Sequence, residues 1–232
     1  MIFDKTTKTE EVQWMAISDM MTVLMMIFLF VAIAYMLDAK MEQKKTKDIV
    51  VTYSEMQNEL VKSLNNEFEK DLEKWQAILD TQAISVRFDA PEVLFEQGSS
   101  EIRYKFKKIL DDFFPRFVKI LTNKDFINSI EEVRIEGHTS KEWYINEKYN
   151  ENEAYILNMK LSQDRTRTIL NYVLNLKSIE EKKWLRTNVT ANGLSSSKLI
   201  IENGKENRSK SRRVEFRIKT KAEEKIQQIL SN

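Results

Sequence analysis

The chain has 232 residues, with 37 lysines and arginines against 36 aspartates and glutamates, and it has no cysteine. The absence of cysteine excludes a disulfide scaffold, a thiol nucleophile and a cysteine-ligated metal centre. Four glycines and two prolines are too few for an all-β sandwich or barrel, which needs a turn about every ten residues.

Residues 14–37, WMAISDMMTVLMMIFLFVAIAYML, are apolar almost throughout. A helix of this length extends about 36 Å at 1.5 Å per residue, enough to cross a hydrocarbon core of about 30 Å. Trp14 and Tyr35 lie near the two ends, where aromatic side chains favour the membrane interface. A signal peptide fits less well, because residues 1–13 are net acidic and the apolar run is too long. The segment therefore predicts a single transmembrane helix.

Asp19 is the only acidic or basic residue within residues 14–37. An ionisable group in a membrane is costly, and it persists where it faces a partner helix or a water-filled path. A carboxyl in such a place can gain or lose a proton according to its neighbours, as a proton carrier must. The position of Asp19 fits equally well with a polar helix end at the membrane interface. Ser18 and Thr22 flank Asp19, and their hydroxyls could hold a water molecule or the carboxyl itself.

Residues 38–82 are rich in Lys, Glu, Gln and Asn and contain neither Gly nor Pro. Their apolar residues recur at steps of three and four, which predicts one long amphipathic helix continuing from the span. A narrow apolar stripe favours pairing with a second copy of the chain, and packing onto the C-terminal domain is the alternative. The stripe consists of Ile49, Tyr53, Met56, Leu60, Leu64, Phe68, Leu72, Trp75 and Leu79.

Residues 83–221 alternate between strand and helix patterns, which predicts an α+β domain, an α/β sandwich of helices on a sheet. Two helices are expected, one over 103–121 that is interrupted near Pro115 and one over 162–176 with Ser162 as its N-cap. Residues 222–232 are expected to form a helical tail. The predicted strands are ISVRFD (84–89), EEVRIEG (131–137), TNVTANG (187–193) and RRVEFRIK (212–219).

Four segments in this domain occur in an order that resembles the C-terminal, peptidoglycan-binding family of OmpA. They are F-x-x-G-S-S-x-I at 95–102, I-E-G-H-T at 135–139, N-x-x-L-S-x-x-R at 158–165 and R-R-V-E-F at 212–216. The resemblance covers most of residues 84–220. It implies a domain that anchors the chain to the cell wall.

The resemblance also implies a site for diaminopimelate, whose carboxylate is held by an arginine and whose ammonium is held by an aspartate. Arg165 matches the arginine, and Asn158 and Leu161 match their motif positions. Ser140 stands where the family has the aspartate, and the stretch before Asn158 is about ten residues longer than is usual for the family. The aspartate contact that the family makes with the ammonium group therefore has no counterpart at residue 140. Substitutes in the longer loop would be Glu142, Glu147 or Glu153.

The apolar segment, with S-D-M-M-T-x-L-M at 18–25, resembles the span of MotB-type stator proteins and most of all the ZorB family of Zorya anti-phage systems. The resemblance implies a homodimer inside a pentamer of a MotA-like partner, ZorA in Zorya systems. Asp19 would carry protons, with Ser18 and Thr22 supporting the path, and the wall-anchored dimer would drive rotation of the outer ring. Flagellar MotB and a passive envelope tether are the alternatives.

The resemblance further implies a bacterial inner-membrane protein with a cytoplasmic N-terminus and a periplasmic C-terminal domain. Lysine placement alone predicts the reverse, because Lys5 and Lys8 precede the span and four lysines follow it within residues 40–47. We prefer the orientation of the family, since such subunits insert together with their partners. Neither a nucleophile elbow nor a G-x-x-x-x-G-K-[ST] motif is present, so we expect neither an enzyme nor a cofactor.

His138 is the only histidine, and its position after a predicted strand favours a structural hydrogen-bonding role over catalysis. The sequence has no second histidine to act as a metal ligand, so we expect no metal site. Residues 198–221 carry nine lysines and arginines against three glutamates. Because half of these alternate outward on the last predicted strand, we expect a solvated face, suited to anionic wall polymer or lipid headgroups and not to nucleic acid.

Overall fold

The computed structural model describes residues 4–89, 91–96, 98–143 and 149–221. The chain divides into two compact units, residues 1–52 and residues 53–232. Helix α1, Asp4–Trp75, contributes to both. The predicted tail, residues 222–232, lies outside the described residues.

The N-terminal unit contains the apolar part of α1, which carries a window with a mean hydropathy of 2.5. That helix is long and apolar enough to cross a membrane, and none of the window is buried within the chain. Large apolar side chains from Trp14 to Leu37 are exposed. A helix that is apolar on all sides is suited to lipid or to partner helices and not to water.

The C-terminal unit is built on a five-stranded sheet in the order β1-β2-β7-β3-β4, in which β3 and β4 pair parallel and the other pairs are antiparallel. A separate hairpin joins β5 to β6. The strands are β1 (Ala77–Asp80), β2 (Ser85–Phe88), β3 (Ile130–Gly137), β4 (Val189–Gly193), β5 (Ile201–Glu202), β6 (Lys205–Glu206) and β7 (Val214–Thr220). The helices after α1 are α2 (Pro91–Leu94), α3 (Tyr104–Leu121), α4 (Glu151–Leu174), α5 (Lys182–Asn188) and α6 (Arg208–Ser211).

The core lies between these helices and the sheet, and aromatic side chains dominate it. Phe113, Phe114 and Phe117 of α3 each place their ring within 6.2 Å of the Phe216 ring of β7. Rings at such separations attract one another beyond the gain from burial. The mixed helix-and-sheet class is confirmed, and the four predicted strands are found as β2, β3, β4 and β7.

The apolar stripe of α1 enters this core. Leu60, Leu64 and Phe68 are fully buried there together with Trp75. This part of the stripe therefore packs onto the C-terminal domain, which is the alternative to pairing with a second copy of the chain. The homodimer stays a prediction that rests on the resemblance, because these side chains offer no surface to a second copy.

The predicted helix over 38–82 is wrong at its end, since α1 stops at Trp75 and β1 follows. Gln76 has φ 54°, a left-handed conformation that terminates a helix. The Asp80 carboxylate then accepts hydrogen bonds from the backbone of Gln82 and Ala83 at 3.0 and 2.9 Å. This turn reverses the chain so that β1 pairs with β2.

Two predictions about helices are also wrong. Pro115 does not interrupt α3, because the buried aromatic face of that helix offsets the cost of an interior proline, about 3 kcal/mol. Ser162 is not an N-cap, because α4 begins at Glu151. Asn150 caps it, accepting from the backbone of Glu153 while the Glu153 side chain accepts from the backbone of Asn150.

Candidate functional site

Asp19 lies on the exposed surface of the apolar helix. Within the described residues, no side chain forms a hydrogen bond or an ion pair with its carboxyl. The Thr22 hydroxyl donates to the Ser18 carbonyl at 2.8 Å, so it does not donate to Asp19. An unpaired carboxyl in an apolar surface requires water or groups from another chain in a membrane.

Arg165 projects from α4 onto residues 95–99. Its Nε donates to the Ser99 carbonyl at 2.8 Å and its Nη2 to the Glu96 carbonyl at 3.3 Å. Its guanidinium also lies 4.8 Å from the centroid of the Phe95 ring. Gly98 lies within residues 95–99 and has φ 69°, a left-handed backbone conformation that glycine adopts readily. These contacts hold the guanidinium in one orientation.

Two glycines set the distance between α4 and the sheet. A Cβ at Gly137 would lie 2.9 Å from the Ser162 carbonyl oxygen and 2.8 Å from a Thr166 methyl carbon. A Cβ at Gly193 would lie 2.3 Å from the backbone nitrogen of Gln163. Only glycine permits such close approach. The helix that carries Arg165 thus lies directly on the ends of β3 and β4.

Asn158 is buried and holds the loop that follows β3. Its Nδ2 donates to the carbonyls of Ser140 and Glu142, at 3.2 and 3.4 Å. Ser140 is itself buried, with 8% of its surface exposed, and Leu161 is half-buried. The structure thus brings Asn158 and Ser140 together, and it gives both a part in fixing the loop.

A pocket lies beside Arg165, between α4 and the start of β7. Its polar lining consists of His138, Ser162 and three arginines, Arg165, Arg212 and Arg213. Apart from the masked positions, no acidic side chain lines it. Arg212 is exposed, and its Nε donates to the carbonyl of residue 208 at 3.2 Å. Motif matching did not single out Arg212 or Arg213, although both stand in the R-R-V-E-F segment.

Two of the residues that line this pocket, His138 and Arg213, belong to a buried charge network. The Nε of Arg213 lies 2.5 Å from Oε1 of Glu215, and its Nη1 donates to the Lys198 carbonyl at 3.0 Å. The Nε2 of His138 lies 3.7 Å from Glu136 and 3.9 Å from Glu215, too far for hydrogen bonds. The expectation of an outward, solvated face on this strand is therefore wrong at Glu215, because Arg213 is buried with it.

His138 takes part in the fold through its backbone. Its N–H donates to the Arg213 carbonyl at 2.9 Å. Neither ring nitrogen makes a hydrogen bond within the described residues. Burial by itself raises the pKa of the Glu136 carboxyl, but the imidazole and two nearby guanidinium groups outweigh it, so that pKa lies below its usual value.

The donor atoms of Glu136, His138 and Glu215 lie within 4.8 Å of one another, a set that could hold a metal ion. The sequence has only one histidine, so this set becomes evident only when β3 and β7 are paired and Glu136 lies opposite Glu215. Arg213 already places a positive charge on Oε1 of Glu215, which would repel a dication. We interpret the cluster as an ion-pair network.

The glutamates considered as substitutes for the missing aspartate have other partners. Glu142 pairs with Arg208. Glu153 belongs to the capping box of α4. Glu147 lies outside the described residues. Neither described glutamate is among the residues that line the pocket.

Comparison with known proteins places these features in a family. The OmpA family matches residues 94–213. Over 219 residues the chain is 45% identical to the Zorya protein ZorB of Escherichia coli, which covers 94% of this chain and 92% of that protein. The chain belongs to the ZorB family. The resemblance seen in its two motif regions is thereby confirmed.

A solved structure shares the fold of this ZorB-family chain. A MotB-like protein from Desulfovibrio vulgaris superposes with a TM-score of 0.51 and 21% identity, over 75% of this chain and 94% of that one. The cell wall anchor of the T6SS from Pseudomonas aeruginosa gives a TM-score of 0.46 and 19% identity, over 68% and 96%. The first of these shows that the fold is shared with a MotB-like protein.

Proposed function

We propose that this ZorB-family chain is the proton-conducting, wall-anchored inner subunit of a MotA/MotB-like rotary motor that acts in anti-phage defence. The observation that carries the proposal is Asp19, the sole charged side chain within residues 14–37, exposed on a helix that can cross a membrane. The OmpA-family domain and the Zorya name of the relative support the other parts of the proposal.

In this proposal two copies of the chain stand inside a pentamer of a MotA-like partner, named ZorA in Zorya systems. The chain crosses the inner membrane once, with its N-terminus in the cytoplasm and its OmpA-like domain in the periplasm. The uncovered apolar surface of residues 17–37 supports this arrangement, because it is available to the helices of a pentamer.

The proposed motor turns a proton gradient into rotation through the charge of Asp19. A proton that enters from the periplasm neutralises the carboxylate, and its release to the cytoplasm restores the charge. Each proton that crosses delivers about 2.3 kcal/mol per 100 mV of membrane potential. A change in charge alters which partner groups Asp19 attracts, so each cycle moves the surrounding ring relative to the anchored dimer.

The OmpA-like domain would resist the torque by binding peptidoglycan. Arg165 supports this role because its guanidinium is oriented by two backbone carbonyls and a ring. Asn158, Ser140 and Leu161 would act by holding the loop and the helix around it. The subunit would therefore work without chemistry on a substrate, as an ion-driven machine part and not as an enzyme.

Substitution of Asp19 by Asn tests the proposal. We expect D19N to lose phage protection, measured as efficiency of plating, while it still co-purifies with the MotA-like partner. D19E keeps a carboxyl and should retain part of the protection. The matched control is D38N, on the same helix just beyond the span, which should protect fully. Full protection by D19N would overturn proton conduction and would favour a passive tether.

A further inference from the structure

A group of lysines follows the apolar segment on one face of α1. Lys40, Lys44 and Lys47 are spaced by four and three residues, so they lie within an arc of about 60° around the helix. All three side chains are exposed. We call these three residues the lysine stripe. It lies within the N-terminal unit, on the same uninterrupted helix as Asp19.

The lysine stripe has no anion of its own. Within the described residues, none of its three ammonium groups forms an ion pair or a hydrogen bond. Asp38 and Glu42 lie about 160° around the helix from the centre of the stripe. Asp48 lies one turn beyond Lys44 and does not pair with it. Because like charges at spacings of three and four residues repel one another, an external anion would stabilise this surface.

The lysine stripe lies on the same side of α1 as Asp19. Twenty-five residues separate Asp19 from Lys44, which is within about 20° of seven whole turns. Lys40 and Lys47 lie about 60° and about 80° from the direction of Asp19. The proposed function places Asp19 against the MotA-like partner. The stripe then faces that same partner, just outside the membrane.

The direction of the stripe favours a protein partner over a lipid surface. Its lysines extend about 10 Å along the helix axis, and Lys47 begins about 15 Å beyond Leu37, where the apolar segment ends. A headgroup layer is only about 5–7 Å thick, so a membrane surface would meet the near end of the stripe alone. A surface with carboxylates that runs alongside the helix would meet all three lysines.

We propose that the lysine stripe docks onto aspartate or glutamate side chains of the MotA-like partner, just outside the membrane. This inference rests on the proposed function and adds a charged contact to it. Because the stripe and Asp19 belong to one helix, the contact also fixes the direction in which Asp19 faces the partner. Identical subunits of a ring offer the same carboxylates at each step of rotation, so the contact re-forms after every step.

Cross-linking without a spacer tests the contact directly. A carbodiimide joins a lysine amine to a carboxylate only where the two groups touch. The full-length chain is co-purified with its MotA-like partner in detergent, cross-linked and digested for mass spectrometry. We expect the lysine stripe to be joined to acidic residues of the partner at least about tenfold more often than Lys45 is. Lys45 is the matched control, because it is exposed and lies about 100° or more from each lysine of the stripe.

Charge reversal tests what the contact does for the motor. K44E places a carboxylate at the centre of the stripe, where it would repel the acidic groups of the partner. We expect K44E to lower phage protection at least about tenfold in efficiency of plating, whereas K44R keeps the charge and should protect fully. K45E makes the same change of charge off the stripe and should protect as the original chain does. A thermal melt confirms that each variant folds.

The outcomes separate this inference from the function on which it rests. If the partner co-purifies but is joined to Lys45 as often as to the stripe, or if K44E and K45E protect equally well, the docking contact is wrong although the motor stands. Two further results would also overturn it: links from the stripe to Asp38 or Glu42 of a second copy, and loss of the links when phosphatidylglycerol is added. If the original chain co-purifies with no MotA-like partner, the proposed function itself is wrong.

Discussion

The Nε of Arg116 on α3 donates a hydrogen bond to Oε1 of Glu67 on α1 at 2.7 Å. Its Nη2 donates to the Glu67 carbonyl at 2.7 Å, and its Nη1 donates to the Asp71 carboxylate at 2.9 Å. The same guanidinium lies 5.0 Å from the centroid of the Phe68 ring and 5.8 Å from that of Trp75. One side chain therefore holds the last turns of α1 against α3 by charge, hydrogen bonding and ring contact.

Replacement of Arg116 by Ala should lower the stability of the C-terminal unit by about 1–2 kcal/mol. This exceeds the roughly 0.2–1 kcal/mol of an exposed ion pair, because several carboxylates and two rings share one partly buried guanidinium. The corresponding fall in Tm is about 3–6 °C, measured by thermal unfolding of the full chain in detergent. Arg167→Ala removes an exposed pair on α4 and should lower Tm by less than about 2 °C. Equal shifts would show that Arg116 contributes no more than a surface pair.

Leu64 tests whether the C-terminal part of α1 belongs to the domain core. It is fully buried, and Leu64→Ala should cost about 2–5 kcal/mol because it leaves a cavity. The control is Val51→Ala on the same helix, where the side chain is 44% exposed and the cost should stay below about 0.5 kcal/mol. If Leu64→Ala melts as the original chain does, the stripe is free for another partner.

Helical periodicity identified the stripe on α1 but could not identify its partner. A stripe that pairs with a second copy and one that packs on its own domain have the same spacing. Arg116 and Glu67 are 49 residues apart, and charge pairs at such separations leave no local pattern. The end of the helix was also invisible, because it depends on the left-handed backbone of Gln76.

Strand alternation predicted β7 correctly but misjudged one of its residues. Glu215 reads as outward-facing, yet it is buried because Arg213 supplies its partner from just before the strand. The start of α4 was visible in the sequence, since Asn150 and Glu153 form a capping-box pair. Ser162, on which the predicted start rests, is a weaker signal than this pair. The motifs identify Asn158 and Arg165 from the sequence alone. Arg212 becomes a candidate site residue only when the structure places the start of β7 beside α4.

Gly193 tests the close contact between α4 and β4. A Cβ there would lie 2.3 Å from the backbone nitrogen of Gln163, so Gly193→Ala must displace the helix or the strand. We expect a loss of about 3 kcal/mol or more and weaker sacculus binding, because Arg165 moves with α4. Gly204→Ala is the control. It meets no atom within 4 Å, and its φ of 74° should cost only about 1 kcal/mol. Similar costs for both variants would contradict the contact.

Tyr172 links the stability of the domain to alkaline pH. Its hydroxyl donates to the Asp111 carboxylate at 2.7 Å. Burial and the Asp111 charge raise the pKa of Tyr172 from 10.0 to about 12. Because the folded pKa lies above the unfolded one, the stabilising contribution is complete below about pH 10 and is lost as the pH rises through about 12. Tyr172→Phe should cost about 1 kcal/mol at pH 8, discounted for partial exposure.

The measurement is the difference in Tm between the original chain and Tyr172→Phe, taken between about pH 7 and pH 11.5. This difference should be constant up to about pH 10 and then shrink, since a deprotonated phenol would be repelled by the Asp111 carboxylate. Lysine titration affects both proteins alike and cancels in the difference. Asp111→Asn keeps an acceptor but removes the charge, so the pKa of Tyr172 in the folded protein should lie closer to 10. The loss of stability above about pH 10 should then be smaller than in the original chain. A difference that stays constant to pH 11.5 would mean that the phenol is not coupled to Asp111.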